Sequence, residues 1–154
     1  MNDKPANRHT RYQGAIINDD HILLIRHLEH LSGRTYWVIP GGGKMQEETD
    51  EECVRREMQE ETHLDVKVGE LLLDESTNPD DAYRRMKTYL CTPLKGEAGP
   101  GVEPEPEASS HYSIVEVRWF DLRDERDWGE LLTNDHITYP LVQRIRRKMG
   151  YIVF

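Results

Sequence analysis

The chain has 154 residues, the length of one domain, and carries Lys+Arg 20 against Asp+Glu 29 for a net charge of −9. That acidity argues against a nucleic-acid partner, which needs a basic face, and it admits anionic ligands only through a bound cation. Two cysteines, Cys53 and Cys91, make no disulfide framework, no apolar run nears the roughly 20 residues of a membrane span, and the opening MNDKPANRHTRY holds no signal-peptide core. The expectation is a cytoplasmic protein away from membranes, with a loose polar arm over residues 1–10 and a single domain over 11–154.

Apolar runs at 12–17 and 21–25, split by Asn18-Asp19-Asp20, predict two strands around a turn. Residues 28–33 read as a loop. A third strand over 35–39 ends at Pro40, followed by a turn through Gly41, Gly42 and Gly43. From about residue 48 to 63 there is no Pro or Gly and helix formers dominate, so a helix is predicted. Strands at 66–73 and 83–91 follow, joined by a turn at Thr77-Asn78-Pro79-Asp80. Residues 93–110 hold Pro93, Pro100, Pro104 and Pro106, three glycines, and Glu97, Glu103, Glu105 and Glu107, and they read as a mobile acidic loop. A strand at 113–120 precedes a helix at 136–149, with Ile137, Leu141, Ile145 and Met149 as its apolar face and Arg144, Arg146, Arg147 and Lys148 near its end. The apolar end, Tyr151 to Phe154, reads as a packing segment. Mixed strands with two main helices imply an α/β sandwich.

The chemistry concentrates on the first helix. At 100° per residue, Glu57, Glu60 and Glu61 share an arc of about 100°. Like charges so placed repel by a few tenths of a kcal/mol per pair, which a hard divalent cation with oxygen ligands would offset. Cys53, Val54 and Met58 lie on the opposite side and read as core, with Cys53 a small hydrophobe rather than a nucleophile. A solvated acidic face is the plainer meaning of such a run.

A resemblance bears on the choice. Gly42, five residues, Glu48, seven residues, Arg56-Glu57, two residues, then Glu60-Glu61 resembles the Nudix box of the Nudix hydrolases, and Trp37 to Gly42 also looks like that family. The resemblance covers residues 42–64. It implies an αβα sandwich with a mixed sheet, and hydrolysis of a nucleoside diphosphate linked to another moiety, dependent on Mg²⁺ or Mn²⁺. It makes Glu57, Glu60 and Glu61 metal ligands and, with Arg56, the catalytic set. Arg56 looks like the arginine that orients the helix carboxylates, with Glu48 as its partner. The family's glycine near the end of the box is His63 here; that glycine ends the helix in a left-handed conformation, which costs a histidine about 1 kcal/mol.

Substrate contacts belong outside the box. The candidates are the backbone of Gly41, Gly42 and Gly43, stacking residues Tyr36 and Tyr83, with Trp37 and Tyr112 beside them, and Arg26, Arg84, Arg85 and Lys87 for phosphate. Pro79 resembles the downstream mark of members that cleave ADP-ribose, which favours that substrate class. A nucleoside triphosphate pyrophosphohydrolase and a catalytically weak nucleotide-binding regulator are the alternatives, acting as a monomer or homodimer. The general base is left open among Glu105, Glu107, Glu116 and Glu60, because Ser113 stands where an acid is expected.

Overall fold

Strands β1 (Asn7–Asn18) and β2 (His21–Glu29) meet at a tight turn in which Asp19 and Asp20 both take positive φ, 50° and 61°. Aspartate tolerates that region through its short polar side chain, so a non-glycine turn closes here. The structure is a computed structural model and describes residues 7–77, 83–102 and 111–152. β1 begins at Asn7, so the stretch expected as a loose arm is already paired by residue 10, where buried Thr10 lies opposite Arg85. β2 likewise runs on through Leu28 and Glu29, which the sequence assigned to a loop, because β7 (Tyr112–Asp121) pairs with it along its whole length.

β1 is shared by two groups of strands. It runs parallel to β6 (Arg85–Lys95), which is antiparallel to β5 (Asp65–Ser76), and its other edge takes β4 (Gly41–Lys44) and the start of β2. β2 then carries β3 (Thr35–Val38) and β7 on its two edges. The result is a mixed sheet between helix α1 (Asp50–Thr62) and helix α3 (Thr138–Met149), with a single turn of helix, α2 (Glu130–Thr133), before the last. Among the described residues no helix is long and apolar enough to cross a membrane.

Two apolar clusters hold the layers. Cys53, Val54 and Met58 of α1 pack with Tyr12, Ile16, Leu23, Val66 and Cys91. Leu141, Val142 and Ile145 of α3 pack with Ile22, Leu24, Trp37, Phe120 and Trp128, whose rings meet edge to face. β2 therefore contributes to both faces, and Ile22, Leu23, Leu24 and Ile25 are all fully buried.

Three expectations need correction. The triple glycine is a strand rather than a turn, since β4 pairs with β1 at Gly42 and Gly41. β6 continues through Pro93, which pairs with Val66 on β5; the pairing of β6 with β1 ends at Cys91 opposite Ile16, so the missing N–H of proline leaves no bond broken on that side. In α3 the buried side is Leu141, Val142, Ile145 and, unexpectedly, Gln143 and Arg146, whereas Ile137 precedes the helix and is exposed. Steps of four residues drift by 40° each, so the sequence pattern overran the buried arc. Pro79, Glu103, Glu105, Glu107, Val153 and Phe154 lie outside the described residues.

Candidate active site

Helix α1 is fixed at both ends before its carboxylates are considered. Thr49 caps it: Glu52 N donates to Thr49 Oγ1 at 3.1 Å and Thr49 N donates to Glu52 Oε1 at 2.9 Å. Asp50, the first helical residue, receives Lys44 Nζ at 2.5 Å, Tyr89 Oη at 2.8 Å and Lys87 Nζ at 3.4 Å, which tie the helix start to β4 and β6. Burial works against the Asp50 charge, but these donors outweigh it and hold the carboxyl below its ordinary range. Lys87 is thereby engaged at the helix start rather than waiting for a phosphate. At the far end His63 takes φ 65°, ψ 12°, the left-handed cap expected for the position, and its N–H returns to Gln59 O at 3.1 Å.

β4 runs directly against the carboxylate side of α1, and each of its glycines meets a different helix residue. Gly41 N donates to Glu61 Oε1 at 2.7 Å. A Cβ on Gly42 would stand 2.6 Å from Glu57 Oε1, inside contact distance. Gly43 O accepts from Arg56 Nη2 at 3.1 Å and from Cys53 Sγ at 3.6 Å. None of the three has positive φ, so glycine is required here for close approach and not for a turn.

Arg56 organises the charges. Its Nε and Nη2 grip Glu48 bidentately, at 2.6 and 3.0 Å, and its Nη1 donates to Glu57 Oε1 at 3.0 Å and Glu60 Oε2 at 3.1 Å. Burial disfavours the guanidinium charge, yet Glu48, Glu57 and Glu60 outweigh that and raise its pKa. Glu48 is lowered in turn: burial opposes its charge, while Arg56 and the Met45 N–H overcome it. Burial and the neighbouring Glu57 push the Cys53 thiol up, which suits a packing role and not a nucleophile.

Glu57 and Glu61 are 0% and 1% exposed, while the Glu60 side chain keeps 28%. Burying carboxylates is costly unless each is paired, and Arg56 pairs with three of them, Glu48, Glu57 and Glu60. Among the described residues no three His, Cys, Asp or Glu side chains converge into a ready cage for an ion. Arg56 stands between Glu57 and Glu60, and Glu61 turns to the Gly41 N–H. The donor set still fits a hard divalent cation: it is all oxygen and pressed against a strand where Gly42 leaves no side chain in the way.

Of the other candidates, Arg26, Tyr36, Trp37 and Tyr112 lie together on β2, β3 and β7. Arg26 is already engaged, with Nη1 on Glu116 Oε1 at 3.2 Å, Nη2 on Thr35 Oγ1 at 2.8 Å, and the guanidinium 5.8 Å from the centre of the Trp37 ring. Trp37 is core. Tyr36 meets His27 edge-on at 5.7 Å, and Tyr112 lies on the same imidazole at 5.8 Å. Burial first and the Arg11 charge second lower the His27 pKa to about 4, so the ring is neutral at pH 7. Burial, followed by Tyr112 and Glu29, raises Tyr36 to about 12. Ser113 Oγ sits 2.5 Å from His30 Nε2. Arg84 is exposed, Arg85 pairs with Asp74 at 2.5 Å, and Tyr83 lies where the chain enters β6. Sequence reasoning did not single out His27 or Arg11, whose Nη2 donates to Ile39 O at 2.8 Å; both lie just outside the strands predicted at 12–17 and 21–25.

Comparison with known proteins gives a family and a fold. The NUDIX domain family model matches residues 8–144. Among solved structures, the chain is similar to a NUDIX hydrolase from Nitrosomonas europaea, with 20% identity over 98% of this chain and 78% of that one and a TM-score of 0.67. It is also similar to a MutT NUDIX hydrolase from Burkholderia pseudomallei, with 25% identity, 89% and 97% coverage and a TM-score of 0.65. An ADP-ribose pyrophosphatase from Streptococcus suis has 23% identity, 95% and 97% coverage and a TM-score of 0.60. No curated protein sequence matches the chain.

Proposed function

Because the chain belongs to the Nudix hydrolases, which cleave pyrophosphate bonds, we propose that α1 carries a Mg²⁺-dependent site for a nucleoside diphosphate linked to another moiety, with ADP-ribose as the favoured example. The observation that carries this reading is the carboxylate cluster gathered around Arg56 and buried against a strand made of glycine. Glu57, Glu60 and Glu61 would hold the cation, with Mn²⁺ as a substitute. Bound there, the cation neutralises the pyrophosphate and lowers the pKa of a water. Arg56 keeps Glu57 and Glu60 at fixed positions, and Glu48 keeps Arg56. Of the three helix carboxylates, Glu60 has the most contact with solvent, which makes it the one to accept the proton of the attacking water. Water oxygen bonds to one phosphorus, the bridging P–O bond breaks, and the second phosphate leaves.

The preference for ADP-ribose rests on the sequence resemblance, and the Streptococcus suis neighbour named an ADP-ribose pyrophosphatase is in keeping with it. The MutT neighbour keeps nucleoside triphosphates in the test. The experiment is a Mg²⁺-dependent product screen over ADP-ribose, nucleotide sugars, dinucleoside polyphosphates and canonical and oxidised triphosphates. Formation of AMP and ribose 5-phosphate from ADP-ribose is expected. Faster release of pyrophosphate from triphosphates would replace the substrate class, and tight metal-dependent binding without turnover on any compound would leave a regulator.

A further inference from the structure

The last turn of α1 has an electrostatic problem that the rest of the helix does not share. A helix C-terminus carries partial negative charge and orphan carbonyls, and basic residues usually answer both. Here the last turn has no basic residue and contains Glu60 and Glu61 instead. The carbonyls are answered by the segment that follows β6. Gly99 N donates to Thr62 O at 3.0 Å, Gly101 N to Glu61 O at 2.9 Å, and Val102 N to Glu60 O at 3.0 Å. The fit is tight, since a Cβ on Gly101 would lie 1.9 Å from Glu60 O and one on Gly96 would lie 2.7 Å from His63 O. His63 closes the arrangement, its Nε2 lying 3.1 Å from Pro100 O. A carbonyl only accepts, so this nitrogen carries the proton.

We propose that residues 96–102 form a strap that holds the C-terminal turn of α1, and that His63 is a positioning residue which fastens the strap and thereby sets Glu60 and Glu61 for the cation. The inference rests on the metal site proposed above. It gives the histidine at the left-handed cap a role that glycine could not perform. Within the segment expected as a mobile loop, residues 99, 101 and 102 direct their N–H groups to the helix.

The test compares wild type, His63→Gly, His63→Gln and Gly101→Ala by calorimetric titration with Mg²⁺ and Mn²⁺, amide exchange and thermal melting. Glycine is at ease at φ 65°, so a merely structural His63 predicts that His63→Gly melts no lower and binds metal unchanged. The strap predicts instead that His63→Gly keeps its melting temperature but binds metal at least about 3-fold more weakly, within the 10–100-fold span of outer-contact losses or just below it. The amides of Gly99, Gly101 and Val102 would exchange faster. His63→Gln, whose Nε2 reaches a similar point, should recover metal binding even where it melts lower. Gly101→Ala should lose more than His63→Gly. Wild-type affinity in His63→Gly, or unchanged exchange of those three amides, overturns the proposal. Failure of wild type itself to bind metal would instead overturn the metal site and leave the strap to be judged by amide exchange alone.

Discussion

Helices α1 and α3 both bury charge, and they treat it differently. On α3, Arg146 is 4% exposed and its donors go to Leu122 O, Glu125 Oε2, Gln143 Oε1 and Ile152 O, with the guanidinium also 5.3 Å from the centre of the Trp128 ring. One cation meets one carboxylate and a set of neutral acceptors, which is how a buried charge is made structural. On α1, Glu57 and Glu61 are more deeply buried and a single guanidinium is divided among Glu48, Glu57 and Glu60. On the metal site proposed above, the contrast is between a charge kept for architecture and charges kept for a ligand. Changes on α1 should therefore cost activity, and changes on α3 should cost stability.

The largest effect is expected on α1. Glu60→Gln and Glu61→Gln should each lower kcat/KM on the order of 10³-fold, the several kcal/mol that a metal site contributes to a transition state, with the far-ultraviolet circular dichroism unchanged. Arg146→Ala should do the reverse, lowering the unfolding free energy by about 3 kcal/mol in urea while kcat changes little. An Arg146→Ala protein that melts normally but has lost turnover would erase the distinction.

His27 sharpens the comparison through pH. Its pKa is about 4 when folded and ordinarily 6.5, so between those values the unfolded chain binds more protons than the folded one. Stability contributed by the neutral ring is fully present above pH 6.5 and is lost as pH falls toward 4, by up to about 3 kcal/mol. Urea melts from pH 7 to 4.5 should show this slope in wild type and a shallower one in His27→Gln. Equal slopes would remove His27 as its source. The smallest effect is at the helix start, where Thr49→Ala should cost about 1 kcal/mol, or about 2–4 °C in melting temperature.

Much of this was legible in the residues. Cys53, Val54 and Met58 against Glu57, Glu60 and Glu61 defined both sides of α1, and the spacing from Gly42 to Glu61 pointed to the family that the domain match shows. The run Gly41, Gly42 and Gly43 reads as a turn in sequence because glycine serves close approach as well as turns; only the contacts of Gly41 and Gly42 with Glu61 and Glu57 tell the two apart. Arg146 reads from sequence as part of a basic cluster at a helix C-terminus, because charge alone does not reveal acceptors brought from residues 122, 125 and 152. The segment after β6 reads as loose by composition, and its order comes from carbonyls more than thirty residues away in the chain.

The most direct test of the central claim is a calorimetric titration of Mg²⁺ into wild type and Glu57→Gln, run beside ADP-ribose turnover with and without chelator. Wild type is expected to bind the cation and to lose turnover in chelator, and Glu57→Gln to lose both binding and turnover. Turnover that persists in excess chelator, or a Glu57→Gln protein that binds Mg²⁺ as wild type does, would contradict the account.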